Sequence, residues 1–469
     1  MEQEYSMRAF IRNFHLEIDN GEELENDKSF SEEKFVEIVN LIYNTSSFDG
    51  KFQILLENIE FLKQRPPLEF PNIDGIDVFH KTIMESIYSN RETYELLDLF
   101  LHLYVLNSNS PIDAFVENNI IEYLFSILES PDITCISISL TILRSLSKRN
   151  LQILEHILSL IKFDFLEHLD SSFDLIYDIH CFILTLSNQE VPIEFKRESI
   201  IFSLNVLQRL YEQNPYELQY TDESSIIIST IILNIQDVPE MLNESCNLYP
   251  FINLVLEKYC DNENLVYRVL LFISILVKKF KFNSNFVDNS TNRDSSDYFS
   301  RISFEEIPRI MCMQKKDTKI LFLCICVLTS LFNRNIKTRI SDQTFLHKVI
   351  PYFIQISENG RIDMRIIAYK ALKAILTSSN HIYRGYLMDK ISLQSVLEVL
   401  ETNNTKLLKK VLEFIYEYCL CLDEIGMLDK AKQELDTPEI HEHFDELFQN
   451  PEVSDYAEMI IDLCFQEDE

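Results

Sequence analysis

Tryptophan is absent from this chain and glycine nearly so. Only 6 glycines occur in 469 residues, at positions 21, 50, 75, 360, 385 and 426, against the roughly 7% of an average protein. Tight strand hairpins need residues at positive φ, and so do loops that wrap a phosphate. This scarcity argues for helices joined by short polar turns, and neither GxGxxG nor GxxxxGK[ST] is present. Basic residues are also short: 42 Lys and Arg face 75 Asp and Glu, a formal charge of −33. Such a chain repels nucleic acid and anionic membrane. The charge suits a Lys/Arg-rich peptide partner, and it equally serves the solubility of a long exposed rod. The 10 cysteines contain no CxxC, and Cys324/Cys326 and Cys419/Cys421 sit two apart, so on a helix they diverge. Reduced core cysteines of a cytoplasmic or nuclear protein are expected. No basic start leads into an apolar segment, so no signal peptide is expected, and Ile226–Leu233 and Ile320–Phe332 are too short to cross a bilayer.

Catalytic chemistry is missing as well. His441-Glu442-His443 is not HExxH, and residues two apart on a helix cannot converge on a metal. His180 and Cys181 are adjacent, which on a helix points them about 100° apart, so a core role is expected over a nucleophile–base pair. No catalytic residue, cofactor, metal or small-molecule substrate is expected.

What the chain does have is a period. In Asn118–Asn150, NNIIEYLFSILESPDITCISISLTILRSLSKRN, one apolar face is formed by Ile120, Ile121, Leu124, Phe125 and Leu128. Ser130-Pro131-Asp132 breaks that helix, since proline disfavours αR at the residue before it and Asp can cap the next one. A second helix, apolar at Ile136, Leu140, Leu143 and Leu146, is predicted to run to Lys148. Similar breaks fall near Asp49, Asn90, Asp132, Ser171, Pro215, Asp261, Asp317, Gly360, Asn404 and Asn450, at intervals of 41, 42, 39, 44, 46, 56, 43, 44 and 46. Armadillo and HEAT repeats have periods of about 40–47 residues. The long interval contains residues 283–301, NSNFVDNSTNRDSSDYFSR, which reads as a looped-out insertion. The expected fold is therefore all-α: an armadillo/HEAT-type superhelical α-solenoid of about ten repeats over residues 29–465, with a concave wall. An acidic, poorly ordered segment (1–28) is expected before it and an acidic tail (466–469) after it.

Three stretches resemble the importin-α adapters. Phe30–Ile83, with its double proline and Asp74-Gly75-Ile76-Asp77, is similar to that family's first repeat. Asn118–Asn150 resembles the repeat body, and His441–Glu469 the short last repeat. The resemblance implies a non-catalytic adapter that binds protein, either a basic peptide or a transport carrier, and carries cargo for nuclear import. Two features depart from it. The family's N-terminal arm is basic and binds importin-β, whereas residues 1–28 offer only Arg8, Arg12 and Lys28. In the family, a groove-lining Trp is followed four residues later by Asn, and together they grip an extended basic peptide. Laid over this chain, the Trp row falls on Thr141, Cys181, Leu271, Cys326, Lys370 and Lys410. The Asn row falls on Ser145, Thr185, Ile275, Ser330, Ala374 and Phe414. These are the candidate groove positions; none keeps a Trp–Asn pair, and two lysines stand where cations bind in the family. In this register the family's peptide read-out is lost, which motivates the alternative of a scaffold that assembles a complex outside transport, beside the leading reading of a transport adapter. Basic clusters at Lys278–Lys281, Lys315-Lys316, Arg334–Arg339 and Lys409-Lys410 mostly read as helix-end cations. The sharper alternative is a basic strip in the second half that takes an acidic segment, the chain's own acidic end included.

Overall fold

A computed structural model describes residues 32–64, 70–89, 91, 93–105, 119–149, 151–164, 166, 175–213, 220–238, 241, 248–279, 301–313, 318–333, 345–378 and 381–465. Among them the regular structure is helical, with no strand. The expected 283–301 insertion lies outside these residues except for its last member, as do the segments 1–28 and 466–469.

The helices are α1 (Glu32–Asn44), α2 (Phe48–Glu57), α3 (Ile59–Gln64), α4 (Ile76–Tyr88), α5 (Thr93–Phe100), α6 (Ile120–Ile127), α7 (Ile133–Ser147), α8 (Leu151–Leu160) and α9 (Ile176–Ser187). They continue with α10 (Ile193–Gln213), α11 (Thr221–Asn234), α12 (Tyr249–Lys258), α13 (Glu263–Lys279), α14 (Ile307–Met313), α15 (Thr318–Asn333) and α16 (Ile350–Asn359). The last are α17 (Ile362–Leu376), α18 (His381–Lys390), α19 (Leu393–Leu397), α20 (Thr405–Glu424), α21 (Leu428–Leu435), α22 (Pro438–Phe448) and α23 (Ser454–Phe465). One helix recurs in each repeat, and we call these the ladder helices: α2 with α3, then α5, α7, α9, α11, α13, α15, α17, α20 and α23. Their first residues lie 40–49 apart, except for 55 between α13 and α15. The repeats are thus of armadillo/HEAT type.

Three of the polar breaks carry side-chain caps, whereas α17, after Gly360, opens on Arg361 without one and α2 is capped by Ser47 ahead of Asp49. Asp132 takes the N–H groups of Thr134 at 2.9 Å and Cys135 at 3.3 Å to start α7. Asn404 takes that of Leu407 at 3.0 Å to start α20, and Asn262 that of Leu265 at 3.1 Å to start α13. Each such cap contributes about 1 kcal/mol. In the first repeat the ladder position is divided at Asn58, between α2 and α3.

The described residues form two compact units, one within 1–207 and 222–238 and the other within 208–221 and 239–469. In the first, α5 packs on α7 and α7 on α9, with α6 and α8 beside α7. Cys181 and Leu184 of α9 meet Ile226 and Leu233 of α11. In the second, α13 packs on α15, α15 on α17, α17 on α20 and α20 on α23, while α12, α14, α16 and α22 each lie against the ladder helix that follows them. Neither layer can bury its apolar stripe alone, so each repeat depends on its neighbours.

Polar contacts repeat with the same step. Arg149 Nη2 donates to the Val105 carbonyl at 2.6 Å, Gln189 Nε2 to Ser147 Oγ at 3.2 Å, and Asn234 Nδ2 to Ser187 Oγ at 3.0 Å. Arg384 reaches Glu424 at 2.5 Å. These partners are 40 to 47 residues apart, one repeat in every case.

Candidate functional site

A ladder helix can offer ligands only the stripe that its neighbours leave open. On α7 that stripe includes Ser137, Thr141, Arg144 and Ser145, and on α9 Tyr177, Asp178 and Thr185. Spacing of three or four residues puts each set on one face. Ser137 Oγ donates to Asp178 across the two helices. Cys181 is buried on the same side, and its burial pushes the thiol above its ordinary pKa, with Arg144 opposing this. A thiol held protonated is a poor nucleophile.

The candidate groove positions divide into three kinds. Thr141 with Ser145, Cys181 with Thr185 and Cys326 with Ser330 form three similar pairs, in which the later hydroxyl donates to the earlier carbonyl at 3.0, 2.9 and 2.8 Å. Except for Cys181, all six are half-buried. These hydroxyls are spent on their own helix turn, so none holds out an amide as an Asn would. Leu271 and Ile275 belong to the core, in a helix whose residues from Leu265 to Val277 are all buried. On α17 and α20 the first member is open and the second closed: Lys370 and Lys410 are half-buried, whereas Ala374 and Phe414 are core residues. The open stripe there runs through Ile366, Lys370 and Lys373 on α17, and through Lys406, Lys409, Lys410, Glu413 and Glu417 on α20. The ladder helices are thus closed at α13 and at Ser224–Ile232 of α11, and open at α7, α9, α15, α17 and α20.

The best-built feature of the open face joins α17 to α20. Glu413 has only 7% of its surface exposed. Lys373 Nζ lies 3.5 Å from its carboxylate and 3.5 Å from that of Glu417, and Lys410 pairs with the other oxygen of Glu413. Lys373, Glu413 and Glu417 escaped the reading from sequence. Their signal was present as a lysine three residues after Lys370 and a carboxylate three after Lys410, one repeat apart.

Lys409-Lys410 does not follow the helix-end reading of the basic clusters. It lies in the second turn of the 20-residue α20, with Lys406 in the first. The N-terminal end of a helix dipole does not favour cations, and of these lysines Lys410 is answered on its own helix by Glu413, three residues on.

Among the described residues no three His, Cys, Asp or Glu side chains come together as metal ligands. His180 is fully buried and stacks on Phe202, ring centroids 5.2 Å apart. No described helix is long and apolar enough to cross a membrane. A cleft of about 630 Å³ between α5, α6 and α7 is lined by Tyr94, Glu95, Tyr123, Asp132 and Cys135 among others. Burial pushes the Cys135 thiol up to about 12, helped by Asp132, so it too stays protonated near neutrality.

No protein-family model matches the chain, and no curated protein matches it. Solved structures do show likeness. One, from work on a phosphorylation switch controlling the interaction between cadherin and beta-catenin, is 13% identical with a TM-score of 0.48, covering 92% of this chain and 68% of that one. The karyopherin Kap121p, as a mutant, is 11% identical with a TM-score of 0.37, covering 91% of this chain and 45% of its own. Kap121p bound to the SUMO protease Ulp1p gives 11%, 0.37, 93% and 46%. The chain spans less than half of either karyopherin.

Proposed function

We propose that this chain is a non-catalytic scaffold that holds a partner protein against the open face of its ladder helices. One observation carries the reading: the positions where an importin-α adapter would grip a basic peptide are filled by back-bonded hydroxyls, core aliphatics and lysines. Leu271, Ile275, Ala374 and Phe414 present no group to a peptide, and Lys370 and Lys410 repel a cation. The face still offers what protein partners use, namely half-buried apolar and polar side chains on packed helices.

A photo-crosslinking side chain tests this directly. It would replace Ser330 or Thr185 on the ladder face, or Ile201, which is exposed on α10, as the control. In extract of the source cell, the scaffold reading expects protein adducts from Ser330 or Thr185 and none from Ile201. Adducts from Ile201 alone would move the partner to another surface.

The second reading is an importin-α-like adapter that carries protein between cytoplasm and nucleus, favoured by the ten ladder helices. It requires capture of the importin-β carrier or of an export carrier. If neither binds, and basic signal peptides bind no better than scrambled peptides of equal charge, the adapter reading fails.

A further inference from the structure

We propose that the open face of α15, α17 and α20 receives a short acidic segment of the partner protein, which names the partner class for the scaffold reading above and rests on it. Five lysines gather there in a chain of net charge −33: Lys370 and Lys373 on α17, and Lys406, Lys409 and Lys410 on α20. Spacing of three and four residues sets Lys406, Lys409, Lys410 and Glu413 on one stripe. The contact between Lys373 and Glu413 brings the α17 stripe alongside it.

Two features mark this face as one that carries a surplus of positive charge. Glu413 sits beneath the lysines with 7% of its surface exposed and shares its two oxygens between Lys373 and Lys410, so one carboxylate answers two ammonium groups. Glu417 reaches Lys373 as well, 3.5 Å away, and both carboxylates serve the inner pair. The outer lysines, Lys406 and Lys409, are exposed, and Lys409 lies 6.0 Å from the ring centre of Tyr456. Lys406 also stands in the first turn of α20, on the helix end that disfavours cations. With the inner pair answered by Glu413 and Glu417, the exposed Lys406 and Lys409 are the charge left to meet an external anion.

The dimensions favour a short segment over a long polyanion. Packed helices lie 8–10 Å apart, so the three span roughly 20 Å, the reach of about six extended residues. Half-buried Phe322 on α15 and Ile366 on α17 offer apolar contact beside the charges. The chain's overall negative field repels nucleic acid and anionic lipid at long range, whereas a six-residue acidic stretch meets mainly the local lysines, within a Debye length of about 8 Å at physiological salt.

The test uses the full chain and a fluorescein-labelled 15-residue peptide with a six-residue Glu/Asp core and flanking Leu and Phe. A Gln/Asn isostere and a Lys/Arg peptide serve as comparisons, with affinities from fluorescence anisotropy at low and high salt. The acidic peptide should bind at least tenfold tighter than its isostere, with affinity falling as salt rises. K406E/K409E should weaken it tenfold or more, and the neutral K406Q/K409Q by less. K148E, at an exposed lysine ending α7 in the other unit, should change it less than twofold. Unchanged circular dichroism melting would show that the variants fold. Equal binding of acidic and amide peptides, or no effect of K406E/K409E, would overturn the proposal. So would binding of an RNA oligonucleotide or an anionic vesicle that K406E/K409E abolishes while the acidic peptide does not bind. Should the peptide fail while Ser330 adducts persist, the ladder face remains a protein-binding surface and only its charge preference falls.

Discussion

Replacing Glu413 by Gln keeps the side chain's size and removes the charge that pairs with Lys373 of α17 and Lys410 of α20. Lys373 and Lys410 would then lose their shared carboxylate. Removing one partner of a fully buried pair costs about 3–5 kcal/mol, while an exposed pair is worth about 0–1 kcal/mol. The side chain of Glu413 is 9% exposed, but those of Lys373 and Lys410 are 30% and 23% exposed, so both ammonium groups can turn toward water. Lys373 also keeps Glu417 at 3.5 Å. The cost therefore falls between the two limits, at about 2 kcal/mol, which lowers the melting temperature of a unit this size by about 4–8 °C. Scanning calorimetry of the wild type, E413Q, K410M and the double variant closes the cycle. A coupling of about 0.5 kcal/mol or more is expected, since the residues touch. If E413Q melts within 1 °C of the wild type, or the two changes simply add, Glu413 does not organise this face.

Acid should weaken the first unit through His80. Its Nδ1 lies 2.7 Å from the Tyr104 hydroxyl, and burial lowers its pKa from 6.5 to about 4, with Asp77 opposing. The unfolded chain takes a proton near pH 6.5 and the folded one only near pH 4. Stability is thus fully present above pH 6.5 and falls toward pH 4 by up to about 3 kcal/mol. The difference in melting temperature between wild type and H80Q should change across that window; a constant difference would refute the shift. Asn234→Ala should cost about 2–3 kcal/mol, because both Asn234 and Ser187 are buried and the serine hydroxyl would lose its donor. A urea midpoint unchanged by N234A would contradict this. Gly75→Ala should cost about 2 kcal/mol, since Gly75 holds φ at +89° and a Cβ would lie 2.7 Å from Tyr43. The same urea titration checks it, and a neutral result would refute the strain.

The sequence carried the periodic part of this fold because caps and breakers are local. Asp132 was readable as a helix start and Asn404 as a break from their own neighbours, and both cap helices by direct hydrogen bonds. The apolar runs at Ile226–Leu233 and Ile320–Phe332 fall inside ladder helices α11 and α15. What neighbours leave open could not be read in the same way. Leu271 and Lys370 occupy one row by spacing, yet α13 is buried all round from Leu265 to Val277 while α17 keeps a half-open stripe. That difference depends on packing between repeats, which no single repeat encodes. The partnership of Lys373 with Glu413 is likewise set by the angle at which α17 meets α20, so a sequence shows two charges 40 residues apart and not their contact.

Hydrogen exchange of the full chain, with and without a partner captured through the Ser330 crosslink, tests the central claim most directly. Slowed exchange should concentrate in peptides from the ladder helices, 133–147, 176–187, 362–376 and 405–424, and spare α10, α12 and α16. Protection confined to those other helices, with the ladder peptides unchanged, would contradict the account.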